Sequence, residues 1–262
     1  MRYFFAIILL FFVKIVFAAT FEDGIIAAKQ GDYNKAYSII LPYAESGNTK
    51  AQCTIGEMYE RELGVKQDFL VAAKWYRLAA DNGDALGQRQ LGYLYSTGKG
   101  VIQNYNEAVK WYKLSVNQND SFAQFLLGDM YQHGKGVPKN NDEAIRLYLL
   151  AAEKGIDIAK QNLGFLYGDI KNYKESLKWN KAAAKNGLEG AQYNLALMYM
   201  YAEGTPKNNI LAHMWLNISN ANGKKNAIEV RDELAAEMTS EQISQAQEMA
   251  NRCLQSNYVN CE

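Results

Sequence analysis

Few residues of this 262-residue chain have the types and spacing that metal or acid–base chemistry requires. There are two histidines, His133 and His213, and neither has a second histidine or a cysteine at the spacing of a metal-binding motif. Zinc and copper sites are built from such groups of imidazole and thiolate ligands. The sequence therefore predicts no metal site, and it favours a surface or half-buried packing role for both histidines.

Two short motifs come close to known catalytic signatures but lack essential parts. Ser96 and Lys99 fit the S-x-x-K motif of penicillin-recognising enzymes, yet no S-D-N and no separate K-T-G follows. The stretch from Gly92 to Lys99 approaches a phosphate-binding P-loop, but its spacing is one residue too long and Gly100 stands where Ser or Thr is required. We therefore predict no catalytic residues and no cofactor.

The first 18 residues have the layout of a secretory signal peptide. Arg2 gives a positive start, residues 3–13 are apolar, and small residues lead to a cleavage point after Ala18. A retained membrane anchor is the alternative, but Lys14 interrupts the apolar run well short of the roughly 20 residues that span a bilayer. The sequence predicts export to the periplasm or secretion, with no integral membrane segment after cleavage.

The charged residues indicate no nucleic-acid partner. The chain has 28 basic and 28 acidic side chains, and no stretch concentrates the basic ones into a patch that would bind nucleic acid or anionic lipid. Among the three cysteines, Cys253 and Cys261 enclose a short polar segment near the end of a chain predicted to be exported. They are a disulfide candidate. Cys53 then has no cysteine to pair with. We favour a packing role for it within the array over a mixed disulfide with a partner.

Between residues 51 and 226 the chain repeats itself with a step of 36 residues. The step is marked by glycines and tyrosines at Gly56, Gly92, Gly128 and Gly164, and at Tyr59, Tyr95, Tyr131 and Tyr167. Each unit has two apolar stripes of helical period separated by a glycine-containing loop, and we call the two helices A and B. The predicted fold is all-α, an α/α superhelix or solenoid of helix-pair repeats.

Five repeats follow from this register, with atypical units at both ends. Repeats 1 to 5 are 51–86, 87–122, 123–158, 159–190 and 191–226, and the loop of repeat 4 is four residues shorter than the others. A half-repeat at 19–50 precedes them, and capping helices with a tail follow at 227–262. Thr239 and Gln242 form a capping-box motif that predicts the start of the last helix.

A glycine recurs inside helix A although glycine costs a helix about 1 kcal/mol relative to alanine. We expect helix B to approach closely at that point. The small residues of helix B are the expected counterparts: Ala72, Ala108, Ala144, Ser176 and Ala212. Replacing Gly128 with leucine is then expected to cost several kcal/mol through overpacking.

The pattern AQxxLGxMYxxGxGVxxxxxEAxxWYxxAAxxG resembles the Sel-1-like repeat family, relatives of the tetratricopeptide repeats. The resemblance covers nearly all of the chain after residue 18; the short loop of repeat 4 and Leu147, in place of tryptophan, depart from it. It implies a non-catalytic scaffold or adaptor that binds a protein or peptide. A cysteine-rich bacterial branch, to which penicillin binding or β-lactamase activity has been attributed, staples each repeat with a cysteine pair. Here the only such pair lies outside the repeats, so an enzyme is the alternative; an envelope-assembly adaptor with several weak partners is a third possibility.

In such arrays helix A lines the concave surface. The apolar residues that this register places there, here called the inner row, are Tyr93, Phe125, Phe165, Tyr193, Leu197, Met200 and Tyr201. Packing between successive repeats explains any one of them; for the whole row we favour a groove, because aromatic-rich patches mark interaction sites.

Arg89, Glu57 and Asp129 would orient the bound segment. By resemblance to tetratricopeptide repeats, Asn162 and Asn194 are candidates to hydrogen-bond its backbone. The predicted ligand-binding residues are Arg89, Tyr93, Phe125, Asp129, Asn162, Phe165, Tyr193, Asn194 and Leu197.

Overall fold

The structure, a computed structural model, describes residues 19–259 and residue 261. This part of the chain contains fourteen α-helices and no strand, which confirms the all-α prediction. The helices are α1 (Phe21–Lys29), α2 (Tyr33–Glu45), α3 (Thr49–Arg61), α4 (Phe69–Asp81), α5 (Ala85–Thr97), α6 (Tyr105–Val116), α7 (Ser121–His133), α8 (Asn141–Glu153), α9 (Asp157–Asp169), α10 (Tyr173–Ala184), α11 (Glu189–Tyr201), α12 (Asn209–Ala221), α13 (Ala227–Ala235) and α14 (Ser240–Gln255). None of these helices combines the length and the hydrophobicity needed to cross a membrane. The predicted signal peptide lies outside the described residues.

The helices pack in antiparallel pairs along the chain. We keep the numbers 1 to 5 for the pairs α3/α4, α5/α6, α7/α8, α9/α10 and α11/α12, in which the first helix is helix A and the second is helix B. Each helix B also packs on the helix A that follows it, and the array continues from α1/α2 at one end to α13 and α14 against α12 at the other. The core is a continuous series of apolar clusters between neighbouring pairs.

Polar side chains set the ends of the helices. In helix B of repeat 2, the backbone N–H of Glu107 donates to the side chain of the N-cap residue Asn104 over 3.1 Å. The predicted capping box at the start of α14 is confirmed: the N–H of Gln242 donates to Thr239 Oγ1 (3.2 Å), and the N–H of Thr239 donates to Gln242 Oε1 (2.9 Å). Such caps satisfy backbone groups that a helix end would otherwise leave unpaired.

A tyrosine ring of helix B covers the recurring glycine of helix A. A Cβ added to Gly128 would lie 2.8 Å from Cε1 of Tyr148, too close for a real side chain. The same relation joins the glycine of repeats 1 and 2 to its tyrosine. We call Tyr76, Tyr112 and Tyr148 the ladder tyrosines. The close approach was predicted. The nearest atoms belong to this ring, one turn after the expected small residue, and in repeats 2 and 4 that small residue, Ala108 or Ser176, also contacts the glycine.

The ladder tyrosines end in hydrogen bonds at the C-terminal turn of helix A. Their hydroxyl groups donate to Glu60 Oε2 (2.8 Å), Ser96 Oγ (3.3 Å) and Gln132 Oε1 (2.7 Å), respectively. Burial is the main cause that raises the pKa of all three, that of Tyr112 to about 12. Each ring therefore remains a neutral hydrogen-bond donor at physiological pH, and it joins the two helices of its repeat.

A second glycine, in the loop between helices A and B, packs against the previous repeat. Gly136 has φ +70°, and a Cβ there would overlap the carbonyl group of Tyr105, the first residue of the preceding helix B. Equivalent glycines face Tyr33, Phe69 and Tyr173. We call this the loop contact. Helix B begins with asparagine instead, Asn141 or Asn209, where no such loop follows: before the short loop of repeat 4 and before the C-terminal cap.

Candidate functional site

Helices A line one side of the solenoid. Among the helices of the five repeats, contacts between non-consecutive helices join α3 with α5 and α9 with α11, all of them helices A. In a stack of helix pairs, the helices that approach one another across repeats lie on the concave side. The predicted ligand-binding residues are all on these helices.

The charged candidates are engaged within the protein. Arg89 Nε lies 3.2 Å from Asp120 Oδ2 at the start of α7, and its guanidinium group lies over the ring of Phe122, 5.2 Å from the centroid. The Asp129 carboxylate lies 3.1 Å from His133 Nδ1 and 3.9 Å from Lys135 Nζ. Arg89 therefore connects repeats 2 and 3, whereas the carboxylate of Asp129 is paired with side chains at the end of its own helix and in the loop that follows.

The inner row is packed on one side and open on the other. Its members are half-buried, except for Tyr201, which is exposed. The rings of Phe125 and Tyr148 have centroids 5.9 Å apart, and Lys224 Nζ lies 5.6 Å from the ring centroid of Tyr193. These aromatic side chains thus pack against other residues of the solenoid, while part of their surface stays accessible.

A second apolar row was missed by the sequence analysis. Leu86, Phe122 and Ile158, here called the edge row, occupy the second position of α5, α7 and α9 and are 42%, 51% and 39% exposed. Leu86 and Phe122 line a depression together with Arg89, so this row continues the concave surface. The 36-residue step between these residues is present in the sequence, but the predicted groove residues lie in the central turns of helix A and do not include its first turn.

The two candidate asparagines have different surroundings. Asn162 Nδ2 donates to the hydroxyl of Tyr148 over 3.2 Å, which links repeat 4 to repeat 3. Asn194 holds the same position in repeat 5, but its side chain has no hydrogen-bond partner among the described residues. The cause is a substitution: where Tyr148 stands in repeat 3, helix B of repeat 4 has Asn180.

A pocket of about 530 Å³ opens beside Asn194, between α9, α10 and α11. We call it the repeat-4 pocket. It is lined by Gln132, Phe165, Gly168, Asp169, Tyr173, Ser176, Gly190, Tyr193, Asn194, Met198, Glu203 and Lys224. Three of the predicted site residues, Phe165, Tyr193 and Asn194, therefore meet at one place. The other six lie elsewhere along the concave surface.

The cysteines have structural surroundings. Cys253 and Cys261 are joined by a disulfide, and both are buried, so that the tail is tied to α14. Cys53 is also buried, and its thiol donates to Asp84 Oδ1 over 3.4 Å. Burial, followed by the Asp84 charge, raises the pKa of this thiol, which disfavours the thiolate needed for reaction with a partner.

Neither histidine lies in a group that could bind a metal; across residues 19–259 and 261, no three His, Cys, Asp or Glu side chains are placed to hold one. His133 is exposed and contacts Asp129. His213 is 2% exposed, and its Nδ1 lies 3.1 Å from Asn217 Nδ2.

His213 should make stability depend on pH. Burial and, secondly, the charge of Arg231 lower its pKa in the folded state. The unfolded chain therefore binds more protons below its normal pKa of about 6.5, and stability falls as pH drops through that value. We expect His213→Gln to lose less thermal stability than the unaltered protein between about pH 7 and pH 5. Equal losses, measured by circular dichroism melts, would contradict this origin.

Comparison with known proteins agrees with the repeat architecture. The family model described as "Sel1 repeat" matches residues 49–84, 85–120, 121–156, 158–188 and 190–224. The crystal structure of a Sel1 repeat protein from Oxalobacter formigenes superposes with a TM-score of 0.77 at 32% identity, covering 88% of this chain and 96% of that chain. A search of curated proteins found no match.

A second similar structure is that of c5321, a protective antigen present in uropathogenic Escherichia coli strains displaying an SLR fold, with a TM-score of 0.49 and 23% identity over 91% of this chain and 73% of that chain. Sel1 repeat proteins in general mediate protein–protein interactions, and most are non-catalytic scaffolds. From the five matched repeats and the Oxalobacter relative, this chain belongs to the Sel1 repeat family.

Proposed function

We propose that this protein is an exported, non-catalytic scaffold that binds a segment of another protein, or a peptide, along its concave surface. The observation that carries the proposal is the inner row, whose side chains are half-buried, or exposed at Tyr201, so that part of their apolar surface stays accessible. Accessible apolar surface of this kind favours association, because burying it against a partner removes it from water.

The edge row supports the same surface. A single exposed leucine or isoleucine is ordinary, but three apolar side chains at one register position in successive repeats are not scattered. Together the two rows would offer a partner segment a continuous apolar track. Arg89 and Asp129 would contribute less binding energy than the aromatic residues, because each already has a partner within the array.

Export is part of the proposal and rests on residues 1–18. The disulfide at the C-terminus is consistent with it, because disulfides persist in oxidising compartments. The partner would then be sought in the cell envelope or among secreted proteins.

A pull-down with residues 19–262 as bait tests the proposal. We expect a specific partner from envelope or secreted fractions to be retained by this bait and weakened about tenfold or more by the triple variant Tyr93→Ala, Phe125→Ala and Tyr193→Ala. The reason is that truncation removes the rings from the centre of the surface.

A matched control removes exposed apolar side chains outside the inner row. Leu70, Ile102 and Val259 are 54%, 92% and 78% exposed, and changing them to alanine should leave capture intact. Thermal melts should show that both triple variants are folded. A partner held equally by the inner-row variant and by the unaltered bait would refute the groove.

A further inference from the structure

The repeat-4 pocket lies where the series of ladder tyrosines is interrupted. Repeats 1 to 3 each fill the space over the helix A glycine with a tyrosine ring, but repeat 4 has only the shorter Asn180 over Gly164. The glycine is kept although the ring is absent. Asn180 is shorter than tyrosine, so the outer part of the ring and its hydroxyl have no counterpart in repeat 4.

The residues around that space match those that surround the Tyr148 hydroxyl. In repeat 3 this hydroxyl donates to Gln132 and accepts from Asn162. The equivalent positions one repeat further on are Gly168 and Asn194, and both line the pocket. Gly168 has no side chain to enter the space, and the amide of Asn194 lacks a partner among the described residues.

Asn180 fills only the inner part of the place of the missing ring: its amide lies over Gly164, where the ring edge lies in repeats 1 to 3. Its Nδ2 donates to the carbonyl of Ser176 (2.9 Å) and to Ser176 Oγ (3.1 Å), one turn back along α10. Asn180 is fully buried, and its Oδ1 has no hydrogen-bond partner. Ser176 stands where repeat 3 has Ala144, so the two polar residues replace an Ala–Tyr pair together. An unpaired buried polar atom is costly in a merely structural core and calls for an explanation.

The charges around the pocket disfavour an anionic occupant. Asp169 and Glu203 come from the C-terminal side of helices A, whereas Lys224 comes from the opposite side, where it lies over Tyr193. The two carboxylates outnumber the single ammonium group, so a phosphate or a carboxylate gains no advantage. The rings of Phe165 and Tyr193 instead offer faces and edges to another aromatic ring.

We propose that the repeat-4 pocket receives a tyrosine side chain of the bound segment, whose hydroxyl takes the place of the absent ladder hydroxyl and accepts a hydrogen bond from Asn194. This inference rests on the proposed groove and assigns it a specificity site. The volume of about 530 Å³ is in the range of ligand pockets and admits a ring with the adjoining backbone.

The test uses small probes and residues 19–262, the proposed mature chain. We expect N-acetyl-tyrosinamide to shift the NMR signal of the Asn194 side-chain amide. Its affinity should be several-fold higher than that of N-acetyl-phenylalaninamide, and the difference from N-acetyl-leucinamide should be larger still. The double variant Ser176→Ala/Asn180→Tyr gives repeat 4 the residues of repeat 3 and should fill the pocket. It is expected to weaken tyrosinamide binding about tenfold or more without lowering the thermal midpoint.

A second variant keeps the pocket open but removes the polar contact. Asn194→Leu introduces the residue that repeat 3 carries at this position, Leu126, and should reduce tyrosinamide affinity to that of phenylalaninamide. If both variants bind tyrosinamide as the unaltered protein does, the pocket assignment is wrong. The same conclusion follows if the unaltered protein does not distinguish the three probes.

The two proposals can fail separately. A partner lost by the inner-row triple variant but retained by Ser176→Ala/Asn180→Tyr would leave the groove in place and overturn the tyrosine site. A partner retained by the triple variant would refute the groove, whereas the probe titrations would still decide what the pocket accepts.

Discussion

Replacing Gly128 with leucine is expected to lower the free energy of unfolding by about 3 kcal/mol or more. A Cβ at this position would lie 2.8 Å and 2.9 Å from two carbons of the Tyr148 ring, before the rest of the leucine side chain is added. The ring cannot easily move aside, since it is fully buried and its hydroxyl is bonded to Gln132 and Asn162. Urea denaturation gives the measurement.

A double-mutant cycle isolates the ring as the cause. Repeat 5 already combines an alanine, Ala196, with a leucine, Leu216, at the two positions. We therefore expect Gly128→Ala to destabilise the protein when Tyr148 is present, but to be neutral or stabilising after Tyr148→Leu, where the helix propensity of alanine, worth about 1 kcal/mol, is no longer opposed. Additive effects of the two changes would show that the glycine is not there for the ring.

Gly136→Ala is expected to cost about 3 kcal/mol, and Gly134→Ala in the same loop about 1 kcal/mol. Both residues are left-handed, with φ +70° and φ +67°, so the conformational penalty of a side chain is shared. The difference comes from the surroundings: the nearest atom to a Cβ at Gly134 is 3.5 Å away, whereas one at Gly136 would overlap the backbone of Tyr105.

Thermal and urea unfolding of both variants provide the comparison. Because the pair shares a loop, a backbone conformation and a substitution, it is its own control. Equal losses of stability would mean that the left-handed conformation alone explains why glycine occurs there, and that the loop contact adds nothing.

The repeat architecture could be predicted because period and punctuation are local properties of the sequence. The step between Gly56 and Gly92 and the capping box at Thr239 each follow from spacing alone, and both agree with the structure. The side chain that packs on the recurring glycine was harder to predict from the sequence. The sequence shows a constant spacing from Gly128 to Tyr148 in repeats 1 to 3, yet an expectation of small residues facing glycine led to the neighbouring position instead.

The pocket could not be predicted by the same means. Its existence depends on the short side chain of Asn180, which stands in place of a tyrosine, and on the missing side chain at Gly168. The hydrophobic pattern of a helix does not report the length of a single side chain. It also does not show whether an apolar residue on helix A packs between repeats or faces a partner. Phe125 illustrates this ambiguity: its ring packs against Tyr148, yet the side chain is only half-buried.

The loop contact has a consequence for how such arrays can be lengthened or shortened. The aromatic residue at the start of helix B matches the loop of the next repeat, not the loop of its own. A segment such as 105–140, which runs from Tyr105 to the end of the loop holding Gly136, carries both partners, whereas a segment cut before helix A separates them. The transferable module for recombination or for grafting new repeats therefore begins at helix B, half a repeat out of step with the helix pairs.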